Sequence, residues 1–155
     1  MRNVQSWLDE YGESHRNPAN KTLHWMCLPL IVLSLVGLLW SIPAPRAFVQ
    51  VSPLANWGVL LVILALIYYY ALTWRLALGM TVVMVIVIAI VYGASRLPAP
   101  LWLVSVIVFV VAWIGQFVGH KIEGKKPSFF KDIQFLLIGP LWLLAFFYRR
   151  LSLAY

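Results

Sequence analysis

Long runs of apolar residues separated by short polar stretches dominate the chain. Segments 23–42, 57–73, 76–95 and 101–119 contain no Asp, Glu, Lys or Arg, and a fifth apolar stretch covers 133–148. An α-helix needs about 20 apolar residues to cross a hydrocarbon core about 30 Å thick. The first four segments therefore predict four transmembrane helices. Irregular backbone must lie outside the hydrocarbon, where its N–H and C=O groups find partners. The first connection carries Pro43, Pro45, Arg46, Pro53 and Asn56, and the third carries Arg96, Pro98 and Pro100, all turn or helix-stop signals. Only Trp74 and Arg75 interrupt the run from Trp57 to Ser95. That run is far too long for one crossing, and Tyr68, Tyr69, Tyr70 and Trp74 resemble an interfacial aromatic belt, so a tight hairpin is predicted near Arg75.

The fifth stretch is short for a crossing and is interrupted by Gly139-Pro140. Proline removes a helical hydrogen bond and crowds the preceding turn, so a kinked or re-entrant segment competes with a straight span. Ahead of the first span, Val4, Trp7, Leu8 and Tyr11 follow helical spacing over residues 3–11, with Asn3 as N-cap and Gly12 as stop. Such a helix fits a membrane surface, or equally a berth against the bundle's own loops. Asp9, Glu10 and Glu13 precede a first apolar run too long for a secretory signal, so the N-terminal segment is expected to stay. The expectation is one all-α integral membrane domain over residues 1–155.

Composition agrees with the pattern. Hydrophobic residues make up 63% of the chain and charged residues 11%, against roughly 25% charged in a soluble domain. The net charge of +7 is unevenly placed. Arg2, Arg16, Lys21, Arg75, Lys121, Lys125, Lys126 and Lys131 fall on the face that holds the N-terminus, and only Arg46 and Arg96 fall opposite. Positive-inside topology then puts the N-terminus in the cytoplasm, and anionic lipid accounts for the charge without nucleic acid. Cys27 stands alone inside the first span, so no intramolecular disulfide forms and a buried, inert thiol is expected.

The chemistry gathers at two places. His15 and His24 bracket the entry to the first span, and His120 stands at the exit of the fourth. An even number of crossings returns the chain to its starting side, so all three imidazoles can meet on one membrane face. If the fourth helix runs one turn past Gly119, Glu123 shares a face with His120. Imidazoles with a carboxylate suit iron, zinc, copper or nickel, and two histidines with one carboxylate favour ferrous iron and oxygen chemistry. The titratable groups avoid the span centres, contrary to the midplane sites of transporters.

These residues also carry a resemblance. Tyr11-x-x-x-His15-x-Asn17-Pro18-x-Asn20-x-x-x-His24-x-x-x-x-Pro29, followed by Gln116-Phe117-x-Gly119-His120, a nearby Glu and Pro127, is similar to the membrane-protein family that includes the fungal 2-hydroxy fatty acid dioxygenase of phytosphingosine breakdown. The similarity extends to Gly139-Pro140. It implies Fe(II)-dependent α-oxidation, in which a 2-hydroxy fatty acid reacts with O₂ and leaves as the acid one carbon shorter. It implies His15, His24 and His120 as metal-binding catalytic residues, with Glu123 or Glu13 as a further ligand or an orienter of an imidazole. The spacing differs in one respect, since the carboxylate follows the last histidine by three residues instead of four. The family's further acidic residue near the end of the last apolar segment is replaced here by Ala145, Phe146 or Phe147.

Arg16, Lys121 and Lys125, with Lys126, are candidates to hold the substrate carboxylate at the membrane surface. Asn17, Asn20 and Gln116 are candidates to orient the ligands, the two asparagines also as caps of the first span. The compact chain resembles a bacterial branch, and hence an inner-membrane protein with its site facing the cytoplasm. Two other readings use the same residues. A zinc-dependent membrane hydrolase would activate water at the same site, and a non-enzymatic lipid-binding or assembly protein would need no metal.

Overall fold

The computed structural model describes residues 3–52, 54–126 and 134–155. Arg2, Pro53, Pro127, Lys131 and Ile133 lie outside them. The described residues form seven helices and no strand: α1 (Val4–Gly12), α2 (Pro18–Trp40), α3 (Arg46–Val51), α4 (Trp57–Leu72), α5 (Trp74–Ala94), α6 (Leu101–Glu123) and α7 (Phe135–Arg150).

Local chemistry sets the helix starts. The side chains of Asn3, Asn17 and Asn56 accept hydrogen bonds from the Gln5, Ala19 and Val59 backbone N–H groups, and Pro18 occupies the first turn of α2. Asn17 is thus a cap, as expected, whereas Asn20 lies inside the first turn with its side chain turned elsewhere. Two boundaries move outward from the apolar windows by about one turn of helix: α2 begins at Pro18 and α6 ends at Glu123. Polar residues at the ends of a span extend its helix beyond the hydrocarbon, and apolar windows omit them. The predicted hairpin is present, with Thr73 as the single residue between α4 and α5. The short α3 in the first connection was not expected.

Three helices, α2, α5 and α6, are long and apolar enough to cross a membrane. The fourth expected span, α4, has 16 residues, about 24 Å at 1.5 Å per residue and short of a core about 30 Å thick. The helices alternate in direction. Gly37 of α2 meets Leu101 and Ser105 at the start of α6, and Gly119 near the end of α6 meets Asn20 and Leu23. Gly58 at the start of α4 approaches Val36 and Trp40, and the Trp40 ring lies near Tyr92 at the end of α5. The start of α2, end of α4, start of α5 and end of α6 therefore share one end of the bundle.

Polarity is inverted relative to a soluble fold. On α6, Ser105, Gln116 and His120 are buried while Ile107, Val111, Ile114 and Val118 are exposed. Such a surface requires an apolar solvent, as lipid provides.

The fifth segment resolves into α7, with Pro140 inside a continuous helix. At its beginning, Gln134 accepts from the Tyr68 hydroxyl, and the Leu137 carbonyl accepts from Tyr69 at 2.8 Å. At its far end, Tyr148 donates to the Arg75 carbonyl at 3.1 Å. Tyr68, Tyr69 and Arg75 all stand at the histidine end, so α7 packs across that end of the bundle. The buried face of α1, Trp7, Leu8 and Tyr11, is laid on α7 through Phe135 and Trp142.

Candidate metal centre

His15 follows α1, His24 stands in the second turn of α2, and His120 stands in the last turn of α6. Antiparallel packing of α2 and α6 brings them together. Their ring centroids are 4.1 Å (His15–His24), 4.8 Å (His24–His120) and 5.2 Å (His15–His120) apart, each pair edge to face. All three are buried, and their ligand atoms lie within 4.8 Å of one another.

The hydrogen bonds orient the rings. His15 Nδ1 lies 2.6 Å from the Tyr11 carbonyl and His24 Nδ1 lies 3.1 Å from the Asn20 carbonyl. A carbonyl only accepts, so each Nδ1 carries the proton and each Nε2 keeps its lone pair. Holding one ring nitrogen on a backbone carbonyl while the other faces inward is the usual support of a metal-bound histidine. Burial lowers the His15 pKa to about 4, so its ring is neutral at pH 7 and ready to ligate. The Tyr11 ring stacks on His15 at 4.3 Å, and Trp142 lies 5.4 Å from it.

Two buried nitrogens, His15 Nε2 and His120 Nδ1, have no hydrogen-bond partner among the described residues. An unsatisfied buried polar atom costs about 1–3 kcal/mol, and a metal ion would satisfy nitrogens gathered this closely. The residues fit a metal.

The other expected site residues divide. Neither Glu123 nor Glu13 belongs to the clustered ligand set. Glu123 accepts from the Arg16 N–H at 3.0 Å, the Asn17 N–H at 2.8 Å and Asn20 Nδ2 at 3.1 Å, clasping the start of α2. Glu13 is exposed, and its backbone carbonyl accepts from Lys125 Nζ at 2.9 Å. Asn20 is fully buried and also donates to the Ser14 carbonyl at 2.9 Å, holding the loop that carries His15. Arg16, Lys121 and Lys125 are exposed, and none lines the cavity beside the histidines. That cavity is bordered by Tyr11, His24, Gln116 and His120 on its polar side and by Leu28, Val32 and Pro140 towards the bundle.

The close approach of α2 and α6 rests on a pair of glycines whose spacing was not among the sequence expectations. Gly115 packs on the Cys27 sulfur and Gly119 on the Asn20 amide oxygen. Their Gly-x-x-x-Gly spacing is a recognised signal for close helix packing in membranes. Cys27 is buried there, as expected.

Fold and site together define an all-helical protein with membrane-length apolar helices and a buried three-histidine cluster at one end of its bundle. The chain belongs to the Mpo1-like family, whose description, 2-hydroxy-palmitic acid dioxygenase Mpo1-like, matches residues 1–151. The motif resemblance is thereby borne out over nearly the whole chain. No curated protein and no solved structure matches it.

Proposed function

We propose that this protein is an Fe(II)-dependent dioxygenase of 2-hydroxy fatty acids, with His15, His24 and His120 as its metal ligands. The observation that carries the reading is the convergence of three buried imidazoles with two unpartnered nitrogens, in a chain whose family bears a dioxygenase's name. The reaction balances with O₂ alone. The C1–C2 bond breaks, C1 leaves as CO₂, C2 becomes the carboxyl of the shortened acid, and water takes up the remaining oxygen and hydrogens. Iron bound here would supply redox chemistry and hold the hydroxy acid and O₂ side by side.

The protein's own groups prepare that encounter. The Tyr11 and Asn20 carbonyls fix the His15 and His24 rings. Glu123 and Asn20 act as positioning residues, tying the His15 loop to the helix that bears His120. Leu28, Val32 and Pro140 form an apolar wall that limits water. The reading places α2, α4, α5 and α6 as four crossings of a bacterial inner membrane, in one domain over residues 1–155. Its histidine end faces the cytoplasm, where Lys21, Arg75, Lys121, Lys125 and Lys126 gather.

A zinc hydrolase is the second reading. The clustered donors are three imidazoles without a carboxylate, a set that also suits catalytic zinc. One experiment separates the two. Protein purified without oxygen is analysed for metal, then given 2-hydroxypalmitic acid and O₂. Iron near one ion per chain, oxygen uptake and pentadecanoic acid are expected, and His15→Ala, His24→Ala and His120→Ala should each bring metal to background. Full zinc occupancy without iron, or iron-loaded protein that consumes no oxygen, sinks the dioxygenase reading.

A further inference from the structure

A second cavity, about 310 Å³, lies between α2, α5 and α7. Its wall is almost wholly apolar, with Leu33 from α2, Met84, Val87 and Ile90 from α5, and Leu143 and Phe147 from α7. It does not stand apart from the histidines. Leu28, Val32 and Pro140 line both this groove and the smaller cavity beside His24 and His120. The two cavities thus adjoin across those three side chains, and the larger one extends from them along α2, α5 and α7. Pro140 stands at the junction because α7 lies across this end of the molecule.

The smaller cavity holds an uncommitted polar group. Gln116 is 6% exposed, lines the cavity beside His24 and His120, and its carboxamide makes no hydrogen bond among the described residues. A polar side chain buried inside a membrane helix is costly and is ordinarily satisfied by a partner or a substrate. A carboxamide presents one donor and one acceptor edge, which matches a carboxylate or hydroxyl at the end of a hydrocarbon chain. A volume near 310 Å³ falls at the lower end of ligand pockets, about 300–1,000 Å³, and its apolar lining suits a flexible chain without polar atoms.

We propose that this groove holds the acyl tail of a single-chain 2-hydroxy acid, whose polar head is met by the Gln116 carboxamide beside the three histidines. The proposal rests on the dioxygenase reading for the identity of the head group. Tail selection then falls to Met84, Val87 and Ile90, and the surface lysines take no part in holding the carboxylate.

The test is photo-cross-linking of the purified full chain under nitrogen, so that no turnover is required. The probe is 2-hydroxypalmitic acid with a diazirine at its terminal carbon. Labelling is expected on groove residues of α5 and α7, competed by unlabelled 2-hydroxypalmitic acid and not by phosphatidylcholine. Gln116→Leu should weaken that competition about tenfold, as loss of a buried hydrogen bond does, while the labelled positions stay the same. Val87→Trp should reduce groove labelling, and Ile90→Trp provides a second block if the first variant does not accumulate. Labelling scattered over the lipid-facing residues of α4 and α6, or competed equally by phosphatidylcholine, overturns the proposal. Groove labelling in a protein that forms no shortened acid would refute the activity and leave the groove standing. Shortened acid formed without groove labelling would do the reverse.

Discussion

Glu123 accepts hydrogen bonds from the Arg16 and Asn17 backbone and from the Asn20 side chain, groups more than 100 positions away in the chain. Helical spacing correctly puts it on the face of His120, and there the sequence runs out. Whether a carboxylate on that face turns to a metal or to a neighbouring helix start depends on where that neighbour lies. The three histidines were legible, because crossing parity alone puts them at one end. Glu123→Gln separates the two roles. An amide accepts through one oxygen only and turns an N–H₂ towards donors, so the clasp loosens at a cost of about 1 kcal/mol, or about 2–4 °C in Tm. Thermal unfolding should show that fall, while metal analysis at saturating iron still finds about one ion per chain. Iron falling to background, as in the histidine variants, would make Glu123 a ligand after all.

Between elements, the decisive contact is α2 on α6, because it sets His24 against His120. Gly119 has the Asn20 amide oxygen where a Cβ would stand, and Asn20 cannot withdraw without releasing Ser14 and Glu123. Gly119→Ala should therefore cost about 1–3 kcal/mol by overpacking and reduce iron binding, since the added methyl separates the two ligand-bearing helices. Gly124→Ala is the informative comparison. Gly124 ends α6 at φ 72° with open space around it, so alanine there meets only left-handed backbone strain of about 1–2 kcal/mol. Both variants should unfold earlier by calorimetry, and only Gly119→Ala should lose iron. Equal iron content in the two would mean that close packing at Gly119 does not set the metal site. The apolar runs disclosed the long helices themselves, but not this contact, because apolar content says little about which faces of two helices meet. The Gly-x-x-x-Gly spacing carried that information.

For the molecule as a whole, the apolar runs made the alternating direction of the long helices legible, whereas the course of α7 was not. A 16-residue stretch that is apolar apart from Gln134 and contains a proline suits either a short crossing or a helix packed across one end, and hydropathy has the same value for both. Tertiary contacts decide, since Tyr68 and Tyr69 meet its beginning while Tyr148 reaches the Arg75 carbonyl from its far end. If α7 does not cross, the chain's last residues share a side with the histidines and with the connection that leaves α6. Single cysteines placed at Lys126 and Ala154, both exposed, should then react with a membrane-impermeant maleimide only after the cytoplasmic face is opened. Cysteines at Gln50 and Arg96, in the connections at the opposite end, should react in intact cells. Cys27 supplies the background and should stay unlabelled, being buried against Gly115. Labelling of Ala154→Cys in intact cells while Lys126→Cys stays protected would mean that α7 spans the bilayer. The groove between α2, α5 and α7 would then lose the arrangement in which Pro140 lines both it and the cavity beside the histidines.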